Sequence, residues 1–284
     1  MKKRLVYHMY VGNGKEGDWV DNEAIRLHLA CLKYYSYIFD DVVIVISTDD
    51  EQNKPFLDDV KKILVETITV PSITLKMAKN TTLREATTFL DEVVKSDYDG
   101  ITFFGHSKGT TNIVNPLYKH DYIVDWILGL YWIPLHFANE AEQCITFSTP
   151  LRNSFFFGPF PCVERDGSVF EKTAYEGAFY WVNMNSVKHE FYLKGLELPK
   201  ICTRLYAEEF PGYVCKELNI FQGTYEGMRQ YVGVFDMYGK RDDEYSPLES
   251  IKFQCMQDQN LIQNYLEFKQ KILSESERYK KESL

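Results

Sequence analysis

The chain has 284 residues, 45% of them hydrophobic and 26% charged, with a formal net charge of −9. That composition excludes a disordered chain and suffices for one large α/β domain, or one domain with a helical appendage. The acidic balance and the lack of a basic patch exclude a grip on a nucleic-acid backbone; the longest apolar stretch, Ile127 to Leu135, is far short of the ~20 residues that span a membrane.

In chain order, Leu5 to Val11 reads as a first strand and Gly12 to Gly17 as a loop. Glu23 to Tyr37 carries Ile25, Leu29 and Leu32 at helical spacing. Asp41 to Ser47 contains the continuous run Val42-Val43-Ile44-Val45-Ile46, the mark of a strand buried on both faces of a parallel sheet. It ends in Thr48-Asp49-Asp50, where the carboxylates are ligands for a metal or a ribose, or else turn-formers. Phe56 to Leu64 predicts a helix and Thr67 to Pro71 a short strand. Leu83 to Lys95 predicts a helix, with Thr81 or Thr82 as N-cap and Glu85 closing a capping box after Thr82. Ile101 to Phe104 is the fourth strand. This alternation is a doubly wound α/β layout.

Beyond Asn112 the texture changes. Tyr118 to His136 is a long aromatic helical stretch, Phe147 to Phe160 reads as strand and loop, and Ala174 to Asn183 as a strand. Arg204 to Phe210 reads as a helix end stopped by Pro211-Gly212, and Phe221 to Tyr245 is weakly patterned. Leu261 to Lys281 is a final helix with Ile262, Tyr265, Leu266, Ile272 and Leu273 on one face and a solvated face of mixed charge on the other.

The six cysteines, at 31, 144, 162, 202, 215 and 255, form no C-x-x-C pair, which argues against a zinc site and suits reduced thiols in a cytosolic protein. The basic start Met1-Lys2-Lys3-Arg4 precedes a stretch too short and too polar for a signal peptide. Aromatic residues make up 15%, which is compatible with flat rings under a sugar and equally with an aromatic-rich core.

The chemistry concentrates in Asp99 to Asn112, D-G-I-T-F-F-G-H-S-K-G-T-T-N. A buried strand running into a glycine-flanked polar turn is where open α/β sheets place ligands. Two readings compete. In one, Lys108 and the backbone of the turn (Gly105 to Gly109) contact the phosphates of a nucleotide-sugar, with His106 touching phosphate or ordering the loop. In the other, the turn is a G-x-S-x-G elbow with Ser107 as nucleophile. Against the elbow, Pro116 follows where a helix is needed, and only His120, His136 and His189 come after Ser107, none in the last third of the chain.

Three segments in order, G-H-S-K-G (105–109), Y-E-G-A-F-Y-W-V-N (175–183) and R-L-Y-A-E-E-F-P-G (204–212), resemble bacterial GT-A-like glycosyltransferases of polysaccharide and glycolipid assembly, over roughly residues 5 to 215. The resemblance implies a GT-A-like, Rossmann-like mixed sheet flanked by helices over residues 1–250, with a C-terminal helical extension over 251–284. The donor-binding half would cover about 1–115 and the acceptor half about 116–250. It implies a nucleotide-sugar donor, a saccharide or glycolipid acceptor, and work in the cytoplasm, at the inner face of the membrane. It places donor contacts at Val11, Gly12, Asn13, Asp49, His106, Ser107, Lys108 and Gly109. The proton-accepting carboxylate would be Glu208, then Glu209, then Glu176. Tyr175, Trp181 and Asn183 would meet the acceptor, although an aromatic stripe at strand spacing equally suits a core. Such enzymes usually carry an Asp-x-Asp metal site where this chain has His106-Ser107-Lys108. No residue is therefore assigned to metal, and Mn²⁺ or Mg²⁺ remains compatible with the site. The alternatives are a serine hydrolase and a non-catalytic nucleotide- or sugar-binding protein of the same fold.

Overall fold

The computed structural model describes residues 1–11, 22–48, 54–108, 110, 113, 120–146, 155–158, 161–163, 173–175, 178–200, 205–218 and 259–282. Its elements in chain order are β1 (Lys3–Tyr10), α1 (Glu23–Tyr35), β2 (Asp41–Thr48), α2 (Lys54–Thr67), β3 (Ser72–Lys79) and α3 (Glu85–Phe89), which runs on as one π-helical turn, Leu90–Val94. Next come β4 (Ile101–His106), α4 (His120–His136), α5 (Ala138–Thr146), β5 (Phe156–Phe157), β6 (Pro161–Val163), β7 (Thr173–Tyr175), β8 (Tyr180–Val182), α6 (Met184–Leu193), α7 (Tyr206–Leu218) and α8 (Gln259–Glu282).

A six-stranded sheet has the order β3-β2-β1-β4-β8-β5. β1 to β4 are parallel, and β8 runs antiparallel to both β4 and β5. The fold is thus α/β with a mixed sheet between helices: the alternating pattern predicts the α/β layering, and the mixed sheet is the one the family resemblance implies. Strand periodicity of two sends side chains to two cores. Leu5, Tyr7, Ile44, Phe103 and Trp181 pack on one face with α1, α4 and α8. Val6, Val43, Phe104 and Tyr180 pack on the other with α3, α6 and α7. The run from Val42 to Thr48 is buried throughout, as a strand covered on both faces must be.

Several elements differ from the sequence reading. The third strand is not Thr67 to Pro71 but Ser72–Lys79; Thr67 closes α2. β3 is an edge strand whose Lys76 and Lys79 face solvent, a half-exposed alternation that a search for apolar runs passes over. The capping box fails too. The residue before α3 is Arg84 at φ 47, without a side-chain cap, so Glu85 does not cap the helix. The stretch 174–183 is not one strand: β7 pairs with β6 in a separate ribbon, and β8 lies in the main sheet. Ala178, at φ 56, stands just before β8.

Pro211 does not stop a helix either; it lies inside α7. A proline in that position frees the carbonyl four residues back, and the Tyr180 hydroxyl donates to that oxygen, on Ala207, at 2.6 Å. Tertiary structure thus offsets what proline removes. α5 gave no signal that the sequence reading caught. Finally, α8 lies against α1 and α4. Tyr265 Oη and Lys269 Nζ both donate to Asp125 Oδ1, at 3.0 and 2.6 Å, and Phe268 meets Tyr34 edge-on. Leu266, expected on the apolar face, is 40% exposed.

Candidate functional site

The chain leaves β1 toward β2 on one side of the sheet and returns with β4 on the other. The carboxyl ends of β1 and β4 therefore flank a topological switch point, where open α/β sheets leave a crevice. His8 of β1 stands opposite His106 of β4 there.

Beyond β4 the chain bends sharply. The Lys108 backbone N–H donates to His106 O at 2.7 Å, a three-residue turn centred on Ser107. The bend is fastened to β1: Ser107 N–H donates to His8 O at 2.9 Å, and Ser107 Oγ accepts from Tyr10 N–H at 2.7 Å. Ser107 has ordinary negative φ, since the positive-φ non-glycine residues among those described are Arg84 and Ala178. A nucleophile elbow needs a strained turn and a base on the hydroxyl. Here the hydroxyl is spent on Tyr10, and the next described helix begins only at His120. The reading of Ser107 as a nucleophile is corrected to that of a backbone fastener.

A second anchor comes from behind. His28 of α1 is fully buried and contacts the Lys108 carbonyl through Nε2 at 2.7 Å. A carbonyl only accepts, so Nε2 carries the proton and Nδ1 is the acceptor. Nδ1 lies 2.9 Å from Tyr7 Oη and 2.8 Å from Tyr131 Oη, and Tyr131 Oη donates to Tyr7 Oη at 2.7 Å. With that proton spent, Tyr7 is the donor to His28, and the three side chains close as a chain without a spare proton. Burial pushes His28 down to about 4, against a smaller opposing pull from the Lys108 carbonyl, so the ring is neutral.

With the backbone of the bend held, the Lys108 side chain reaches Glu208 in the first turn of α7. Nζ to Oε1 is 3.0 Å, and Nζ stands 5.9 Å from the centre of the Trp126 ring. The helix N-terminus favours a carboxylate in that turn. Glu209, the neighbouring candidate, is buried.

Glu208 also belongs to a group with Glu85 and His106, whose ligand-capable atoms all lie within 4.8 Å of one another. This group could hold a metal ion. His8 stands beside it but is already committed: Nδ1 meets Thr88 Oγ1 at 2.8 Å and Nε2 meets Ser47 Oγ at 3.0 Å. Burial, then the neighbouring His106, push His8 down to about 4, so it is a neutral strut between β2 and α3.

Of the residues expected at the site, Val11, His106, Ser107, Lys108 and Glu208 gather at this edge. Val11 continues the β1 pairing, its N–H donating to Ser47 O at 3.1 Å. Gly12, Asn13, Asp49, Gly109 and Glu176 lie outside the described residues. The acceptor assignments do not gather there. Tyr175 sits in the β6–β7 ribbon. Trp181 is 0% exposed; its indole N–H donates to Pro134 O at 2.8 Å and its ring packs on Phe39 and Phe103, so it has no face for a sugar. Asn183 Oδ1 accepts from Ser186 N–H at 3.1 Å and caps α6. The glycine at 105 also means something else. It is inside β4, and an added Cβ would meet the Phe179 ring at 3.1 Å. It makes room for an aromatic ring rather than for a phosphate.

The sequence reading missed His8, His28 and the ligand role open to Glu85. The available signal was a titratable residue inside an otherwise apolar strand or helix face, which needs a partner when buried.

No protein-family model matches the chain, and no curated protein matches it. Among solved structures it is similar to the crystal structure of 4-diphosphocytidyl-2C-methyl-D-erythritolsynthase from Anaerococcus prevotii DSM 20548, at 10% sequence identity and a TM-score of 0.33, over 78% of this chain and 85% of that chain. A likeness of that extent carries nothing about substrate or reaction.

Proposed function

We propose that this chain is a glycosyltransferase that moves a sugar from a nucleotide-sugar to a saccharide acceptor, in the synthesis of a bacterial surface polysaccharide or glycolipid. The observation that carries the reading is the 3.0 Å contact between Lys108 and Glu208 at the β1–β4 switch point. It joins two of the three segments on which the family resemblance rests. The third supplies Phe179, which packs against His106 and beneath Gly105.

In this reading the donor diphosphate enters the crevice and Lys108 turns to its oxygens. The bond between the sugar's anomeric carbon and the phosphate oxygen breaks, and the lysine offsets charge developing on the departing group. The acceptor oxygen bonds to that carbon, and its proton passes to Glu208, released from Lys108. The bend must be stiff for this, and the anchors on Tyr10 and His28 make it so. No helix among the described residues is long and apolar enough to cross a membrane; in this reading the acceptor is met in the cytoplasm, at the inner face of the membrane.

The test is a thermal-shift panel of UDP, GDP, CMP and dTDP, followed by assay of donor hydrolysis and transfer. A ligand at 100 times its Kd raises stability by about 2.7 kcal/mol. One nucleotide should stabilise the chain and its sugar conjugate should turn over. Stabilisation without turnover would mark a binding protein of the same fold, and no stabilisation by any nucleotide would overturn the reading.

A further inference from the structure

We infer that Glu85, His106 and Glu208 form a binding site for one divalent transition-metal ion, and that this ion competes with Lys108 for Glu208. Three separate elements deliver the donors: Glu85 opens α3, His106 closes β4, and Glu208 lies in the first turn of α7. They converge within 4.8 Å of one another, at the end of the sheet where ligands bind.

Glu85 points to a ligand independently of that geometry. Its side chain belongs to a residue only 9% exposed, and no described residue donates a hydrogen bond to its carboxylate or pairs with it as a cation. A carboxylate in a residue so largely withdrawn from water gains from a donor or a positive charge. A second carboxylate, Glu208, lies within the same 4.8 Å, which sharpens the need. Lys108 answers Glu208 but is not paired with Glu85.

The donor set fixes the class of ion. One imidazole nitrogen and two carboxylates suit Mn²⁺, Fe²⁺ or Zn²⁺, whereas Ca²⁺ and Mg²⁺ prefer oxygen alone. Three protein ligands leave coordination positions open for a ligand oxygen. Because Lys108 Nζ and the ion draw on one carboxylate, loading the ion weakens the ion pair and turns Lys108 toward the crevice. In the loaded state Glu208 is a ligand, not a proton acceptor.

This goes beyond the transfer reading and does not depend on it. The test uses the tag-free full chain with Mn²⁺ alone and then Zn²⁺ alone, by titration calorimetry and, for Mn²⁺, loss of the free-ion electron paramagnetic resonance signal. Expected are one ion per chain, tighter Zn²⁺ than Mn²⁺, and at least about tenfold weaker binding in Glu85→Gln and in Glu208→Gln. Lys108→Met should bind Mn²⁺ more tightly than the parent. Circular dichroism checks each variant's fold; Glu208→Gln, at the less buried ligand, stands in if Glu85→Gln does not fold. No uptake, uptake unchanged by these substitutions, or weaker Mn²⁺ binding in Lys108→Met would each overturn the site. Nucleotide binding is measured separately, in EDTA and again with Mn²⁺. Nucleotide binding without metal uptake rejects the metal site alone, and metal uptake without nucleotide binding rejects the transferase alone.

Discussion

Lys108 and Glu208, 100 positions apart in the chain, meet at 3.0 Å across the carboxyl edge of the sheet. Both side chains keep some exposure, 22% and 15%, so the pair is reachable from solvent. Lys108→Met should leave the fold intact, because neither partner belongs to a core. It should weaken nucleoside diphosphate binding about 10- to 100-fold, the worth of one hydrogen bond to a charged group. Calorimetric titration checks this, and an unchanged Kd would separate Lys108 from the phosphates.

His28 stiffens the bend from behind. His28→Phe removes the donor to the Lys108 carbonyl and the acceptor for the Tyr7 hydroxyl, both part of a buried network. Two buried groups losing partners should lower the unfolding free energy by about 2–4 kcal/mol. Urea denaturation reads this. Nucleotide affinity should fall as well, since the bend loses its rear anchor. Wild-type affinity with full stability would show that the anchor is idle.

The same histidine sets a pH dependence. It is held at about 4 in the folded chain, below its ordinary 6.5. The unfolded chain therefore binds the proton first as pH falls. The stability contribution is complete above pH 6.5 and is lost as pH drops toward 4. Between pH 7 and pH 5 this one group should cost about 2 kcal/mol. The His28→Phe variant should lose about that much less over the same interval, measured by urea unfolding at both pH values. Equal losses would contradict the assignment.

Gly105→Ala tests the close packing of β4. The added methyl would stand 3.1 Å from Phe179 Cε1 and 3.4 Å from Tyr7 Cδ2, with both rings fully buried. Overpacking of this kind should cost about 1–3 kcal/mol. A thermal melt near wild type would mean that the Phe179 ring yields freely.

Trp181→Phe separates core from sugar platform. It keeps a ring and removes the N–H that satisfies Pro134 O in the last turn of α4. The loss should appear as about 1–3 kcal/mol of stability, with the acceptor KM unchanged. A raised KM at wild-type stability would restore the platform reading.

The sheet's interior was legible because each inner strand is a short run of large apolar residues. Val42 to Ile46 and Ile101 to Phe104 admit no other placement. The edge was less so: β3 alternates with lysines and reads as loop. Pro211 misled because the residue that makes it tolerable inside a helix, Tyr180, is remote in sequence. Lys108 and Glu208 stood out by their motifs, but nothing local to either reveals that they touch. Glu85 looked like a cap because Thr82 stands three residues before it; the backbone at Arg84 turns to positive φ and breaks that geometry. Trp181 and Asn183 carry groups that suit a sugar as well as a core or a cap, and only the fold decides which of these they meet.

The most direct measurement is a crystal structure of the chain with the nucleoside diphosphate that stabilises it. The account predicts a phosphate oxygen within about 3.2 Å of Lys108 Nζ, at hydrogen-bond distance, beyond the ends of β1 and β4. A diphosphate seated elsewhere, with Lys108 still turned to Glu208, would contradict it.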